Sequence, residues 1–133
     1  MKLAVVGSRQ WKDWLMVRKV INEIKPKMII TGGAAGVDRM AMDVADRDNF
    51  YLEVYYPDWK QYGRKAGAVR NKQIVDACDK LIAFWDGKSK GTLISIEMAK
   101  QAGKLLEVFT ADGRGMSFSN SLPKAVGEGE GNE

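Results

Sequence analysis

Four short segments of the chain gather the residue types that hold anions: glycines, hydroxyls, guanidiniums and lysines. Gly7-Ser8-Arg9 joins a flexible backbone to a hydroxyl and a guanidinium, at the head of the first helix that the pattern allows. Exposed amides and the positive end of a helix dipole favour an anion there, although a glycine turn with Ser8 as its cap would use the same residues. In Gly32-Gly33-Ala34-Ala35-Gly36-Val37-Asp38, missing side chains let backbone amides approach a phosphate or a sugar. Gly67, Arg70 and Asn71 fall near the start of a third helix. The guanidinium suits bidentate pairing with phosphate and the amide suits a hydroxyl or a base, while a solvated helix face would have the same composition. Gly87, Ser89, Gly91 and Thr92 form a turn into another helix, with Lys88 and Lys90 beside them, and offer amides and two hydroxyls to a phosphate. Trp59 and Trp85 each follow a strand directly, so each offers either a stacking face for a base or ordinary packing.

Several sharper readings fail on single positions. The dinucleotide fingerprint G-x-G-x-x-G lacks its middle glycine, because Ala34 stands there. A Walker A loop ending at Gly87-Lys88-Ser89 would need glycine at position 82, which is Ile82 inside a strand. The chain has no histidine and one cysteine, Cys78, so imidazole chemistry is absent and a zinc site would have one thiolate and carboxylates only. No metal or cofactor is expected. Cys78 lies in an apolar-spaced segment, where a buried, inert thiol is the simpler reading.

These loops need elements to carry them, and the apolar pattern supplies an alternation. Strands are expected at 2–7, 28–31, 51–56, 80–84 and 104–109. Helices are expected over about 12–24, with Trp14, Val17, Val20, Ile21 and Ile24 on one face, from Val37 through Ala45, from Ala66 through Cys78, and from Thr92 to about Ala102, ahead of a stop at Gly103. The prediction is an α/β fold: a single doubly wound, Rossmann-like three-layer sandwich with a mostly parallel five-stranded sheet. In such a sheet the loops after strands one to four converge at one edge, where ligands bind at the switch in strand order.

At 133 residues the chain fits one domain, expected over 1–109. Residues 110–133 are rich in Gly, Ser, Asn and Glu without apolar period, and read as a flexible C-terminal tail. That tail holds two cations against four carboxylates, so a net charge of +4 leaves about +6 on the rest, which favours phosphorylated ligands or polyanions. The N-terminal apolar run is too short for a signal peptide and no window approaches a membrane span, so a soluble, cytoplasmic protein without a membrane partner is expected.

Taken together, V-V-G-S-R (5–9), T-G-G-A-A-G-V-D (31–38), P-D-W-K-Q-Y-G-R-K-A-G-A-V-R-N (57–71) and I-A-F-W-D-G-K-S-K-G-T (82–92) resemble the YspA type of the cpYpsA-related SLOG family, in order and spacing, over about residues 2–109. The resemblance implies a Rossmann-like fold and a nucleotide or nucleotide-derived small molecule at the residues named above, bound by a sensor or processing module. SLOG proteins also include the DprA/Smf single-strand DNA binders and the LONELY GUY phosphoribohydrolases. Single-stranded nucleic acid is therefore an alternative partner, and cleavage of a nucleotide N-glycosidic bond an alternative activity. The hydrolase branch carries P-G-G-x-G-T-x-x-E, with a glutamate three positions after the threonine, where this chain has Ser95. Glu97 comes two residues later, about 200° further round a helix. Asp38, Asp58 and Asp86 are the loop carboxylates left to act as acid or base. Analogy with relatives also implies a homo-oligomer.

Overall fold

The computed structural model describes residues 1–111. Its strands are β1 (Lys2–Gly7), β2 (Met28–Thr31), β3 (Tyr51–Val54), β4 (Lys80–Trp85) and β5 (Leu105–Thr110). Its helices are α1 (Trp14–Ile24), α2 (Val37–Asp48), α3 (Trp59–Tyr62), α4 (Ala66–Ala77) and α5 (Lys90–Gln101), with a 3-10 turn at Gly63–Lys65. The sheet has the order β3-β2-β1-β4-β5, and all four pairings are parallel. The chain works outward from β1 to the β3 edge, then crosses back to lay β4 against the other side of β1. The switch in strand order therefore lies between β1 and β4.

Both faces of this sheet are covered, which is why β1 and β4 are apolar at successive positions instead of alternating. Leu3, Val5, Ile82 and Phe84 point to one face and pack with Val17, Val20 and Ile21 of α1 and Val37, Ala41 and Val44 of α2. Ala4, Val6, Leu81 and Ala83 point to the other, against Ile74 and Val75 of α4 and Ile96 and Ala99 of α5. Phe84 is held between rings, edge-on to Trp11 at 5.5 Å and stacked with Phe109 at 5.0 Å. Burying a side chain of this size stabilises a fold by roughly 1.5–3 kcal/mol.

Several local outcomes differ from the sequence pattern, and β3 ends at Val54 instead of residue 56. Helix α1 begins at Trp14 and not near residue 12, because Asp13 accepts a hydrogen bond from Met16 N at 3.0 Å and so caps the helix. Trp11, in the preceding loop, is the core tryptophan at 5% exposure. Trp14 instead packs on the margin of the core, with the guanidiniums of Arg18 and Arg47 at 5.3 and 5.4 Å from its ring. The expected polar loop after β3 contains the one-turn helix α3, capped by Asp58 through Gln61 N at 3.1 Å. Cys78 is buried as expected, its thiol 3.4 Å from Val75 O, and burial pushes its pKa up. The expected tail lies outside the described residues from position 112 onward, while Thr110 completes β5. Among the described residues no helix is long and apolar enough to cross a membrane.

Candidate functional site

A cleft of about 390 Å³ opens at the C-terminal edge of the sheet. Gly7, Arg9 and Gln10 after β1, Ala34 and Asp38 at the start of α2, Arg70, Asn71 and Ile74 of α4, and Ser89, Gly91, Thr92 and Ser95 around the start of α5 line it, together with Val6. All four glycine-bearing segments contribute, as convergence at a parallel-sheet edge requires. Gln10 and Ile74 carried no motif signal, and Ser95 was marked only as standing where the hydrolase branch has its glutamate. Ile74 lies one turn from Arg70 on α4 and Ser95 lies three residues from Thr92 on α5, so helical spacing from the marked residues would have found them.

Seven of the marked residues do not line the cleft, and packing explains most of them. Ser8 is fully buried: its amide donates to Phe84 O at 2.9 Å and its Oγ accepts from Asp86 N at 2.9 Å, tying the ends of β1 and β4 together. The turn is thus not at a helix head, since residues 10–13 separate it from α1. At Gly36, φ is +82°, and a Cβ would fall 2.4 Å from Ser8 O. A Cβ at Gly33 would meet the Tyr56 ring, and one at Gly32 would crowd Arg70 and Asp38. Gly67 faces Trp59 at 4.0 Å. Trp85 packs against the α4/α5 core, with Nε1 donating to Ser89 O at 3.0 Å. Gly87 supplies a positive φ of +80° in open space. Gly7 does reach the cleft, yet a Cβ there would also fall 2.4 Å from Phe84 O and 2.5 Å from Val37 Cγ2.

The loop into α5 is built around Asp86. Its Oδ1 accepts from the amides of Lys88 and Ser89, both at 2.8 Å, and its Oδ2 accepts from Ser89 Oγ at 3.1 Å. These bonds, that from the Ser89 amide foremost, hold the Asp86 carboxyl below the usual range. Two amides and one hydroxyl expected for an anion are therefore already engaged. What remains is the helix terminus itself. Helix α5 has twelve residues, no side-chain cap and no acid in its first turn, and its first backbone bond is Leu93 N to Ser89 O at 3.2 Å. The amides of Lys90, Gly91 and Thr92 precede that bond, at the positive end of the dipole.

Two arginines of different standing line the same cleft. Arg9 is exposed, and among the described residues no carboxylate pairs with it. Arg70 is half-buried and wired into the fold: Nη1 donates to Gly32 O at 2.6 Å and Tyr55 O at 3.4 Å, and Nε to Asn71 Oδ1 at 3.0 Å. Burial lowers its pKa, opposed by the nearby Asp38. Asp38 is 6% exposed and accepts from Ala34 N at 3.1 Å. Desolvation pushes its pKa up, against the Ala34 amide and the charge of Arg70. Asp58 and Asp86, by contrast, are spent on capping α3 and on the loop into α5. Among the described residues no three His, Cys, Asp or Glu side chains are grouped to hold a metal ion.

A parallel 3-2-1-4-5 sheet with an anion-suited cleft at its switch point defines a Rossmann-like α/β protein. The chain belongs to the YspA, cpYpsA-related SLOG family, whose model matches residues 1–62. It is 32% identical over 117 residues to the gene 61 protein of Mycobacterium phage D29, across 77% of this chain and 90% of that protein. Its fold is similar to that of DNA processing protein A (DprA) from Streptococcus pneumoniae, with a TM-score of 0.68 and 22% identity over 99% of this chain. It is also similar to DNA processing protein A from Helicobacter pylori, described for its single-stranded DNA binding mode, with a TM-score of 0.61 and 18% identity over 98% of this chain. The chain spans 58% of the first of these proteins and 74% of the second.

Proposed function

We propose that the cleft binds a nucleotide or nucleotide-derived phosphate, with the phosphate at the N-terminus of α5 and against Arg9. The observation that carries this is the uncapped first turn of α5, which lines the cleft at Gly91 and Thr92 and shares it with the unpaired guanidinium of Arg9. Orphan amides, a dipole end and a free cation together suit a phosphate group. In this reading Asn71 Nδ2 donates to the ribose or a base edge and Asp38 accepts from a ribose hydroxyl. Isothermal titration with nucleoside mono- and diphosphates and ADP-ribose tests the reading. Saturable binding that Arg9→Ala weakens supports it; no heat with any of them at millimolar concentration refutes it.

A second reading, hydrolysis of the bound nucleotide's N-glycosidic bond, rests on Asp38. Of the three candidate carboxylates it lines the cleft and has a raised pKa, as a general acid requires. Chromatography after long incubation with concentrated protein decides it: free base released by the wild type and not by Asp38→Asn is the expected result. Self-association belongs to the same proposal, since the edge strand β3 exposes Tyr51 and Leu52; light scattering coupled to gel filtration measures it.

A further inference from the structure

The segment between β3 and α4 packs against residues that adjoin the cleft and combines exposed aromatic rings with cations. Tyr56, Trp59 and Tyr62 are 63%, 60% and 37% exposed. Lys60, Arg64 and Lys65 are interleaved with them, all exposed, and among the described residues none is ion-paired. The one acid of the stretch, Asp58, is engaged in capping α3. Large aromatic faces left in water beside unpaired cations are the composition that tracks single strands, where bases stack and the backbone is neutralised.

The patch adjoins the cleft through residues next to its lining. The Tyr56 ring lies so close to Gly33 that a Cβ there would be 2.4 Å from it, and Ala34, the next residue, lines the cleft. Trp59 reaches to 4.0 Å from the Cβ position of Gly67, one helical turn before Asn71, which also lines the cleft. A second copy of this chain is a poor occupant, because a two-fold contact would set the same three cations against themselves.

We propose that residues 56–65 form a stacking arm over which a single-stranded oligonucleotide runs after one of its phosphates is held in the cleft. Bases stack on Trp59 and Tyr56, and Lys60, Arg64 and Lys65 neutralise successive phosphates. This rests on the cleft being a phosphate site, and it extends the ligand from one nucleotide to several.

The test is fluorescence anisotropy of the full chain with labelled oligodeoxythymidylate and oligouridylate of one to ten nucleotides, at low and moderate salt, with unlabelled mononucleotide measured by calorimetry. Affinity is expected to rise with length over the first several nucleotides. Trp59→Ala should weaken the ten-nucleotide strand by roughly 5- to 100-fold and leave the mononucleotide unchanged. The triple change Lys60→Ala, Arg64→Ala and Lys65→Ala should flatten the salt dependence by about two, at roughly 0.7 per phosphate. Comparing the two strand types tells whether a 2′-hydroxyl is read. Equal affinity for mononucleotide and decanucleotide, or strand binding indifferent to both variants, overturns the arm while the cleft reading stands. Strand binding that needs Trp59 but ignores Arg9→Ala, with no mononucleotide binding, overturns the cleft reading instead.

Discussion

Gly91→Ala separates binding from packing, because its two expected effects have opposite signs. Gly91 is the second residue of α5, with φ outside the left-handed region, and a Cβ there would meet nothing within 4 Å. Glycine in a helix destabilises by roughly 0.5–1 kcal/mol relative to alanine, so the fold alone gains from the change. For a domain of this size that is a rise in Tm of about 2–5 °C in a thermal melt without ligand. The open space, however, lies in the cleft beside the α5 amides. A methyl group there keeps a phosphate from closing on them, and losing even one charge-assisted bond of about 1.5–3 kcal/mol weakens nucleotide binding by roughly 10- to 100-fold. Melts and titrations on the same preparations give both numbers. A variant that is stabilised and binds nucleotide as the wild type does would show that the α5 terminus is not the phosphate site; a destabilised variant would show that the space is not open.

Arg9→Ala is expected to leave stability within about 0.5 kcal/mol of wild type and to lower affinity, whereas Arg70→Ala should lose roughly 1–3 kcal/mol of stability with its bonds to Gly32 and Tyr55, as urea unfolding will show. Gly7→Ala and Gly36→Ala should each cost roughly 1–3 kcal/mol through backbone contacts that cannot relax, against a melt of the same kind. Cys78 should resist thiol reagents in the folded protein and react once denaturant is added, since its thiol is buried and its pKa raised.

The architecture was legible because a doubly wound sheet writes its layers into runs of apolar residues and its loops into glycines. All five strands and the four long helices follow from that pattern. Cap chemistry was less legible: Asp13 and Asp58 fix where α1 and α3 start, and both look like ordinary surface acids until the amides that they accept from are placed. The site residues were harder still, for a glycine that a ligand needs and a glycine that a neighbour needs share one letter. Gly7, Gly32, Gly33 and Gly36 sit where a Cβ would strike Phe84, Arg70, Tyr56 or Ser8, contacts made across the fold and invisible along the chain. Gly91 alone of the marked glycines combines open space, an ordinary φ and a place in the cleft.

Asp38 carries the remaining argument, through pH. Its folded pKa is raised, chiefly by desolvation, above an unfolded value near 3.9. Ionising it therefore opposes folding: its contribution is most favourable below about pH 4, declines as pH rises toward the folded pKa, and is constant beyond. Asp38→Asn keeps an acceptor for the Ala34 amide and removes the titration. The stability difference between variant and wild type should then move in favour of the variant as pH rises above 4, while the depressed Asp86, common to both, cancels. Paired melts between pH 3.5 and 7 measure this. With the phosphate at the α5 terminus and the ribose toward Asp38, the bound nucleotide desolvates the carboxylate further and adds negative charge to the same cleft, both of which raise its pKa, so nucleotide should widen the pH interval over which the two proteins diverge. A divergence that nucleotide leaves unmoved would show that the ligand does not reach Asp38 and would overturn the pose that sets its ribose there.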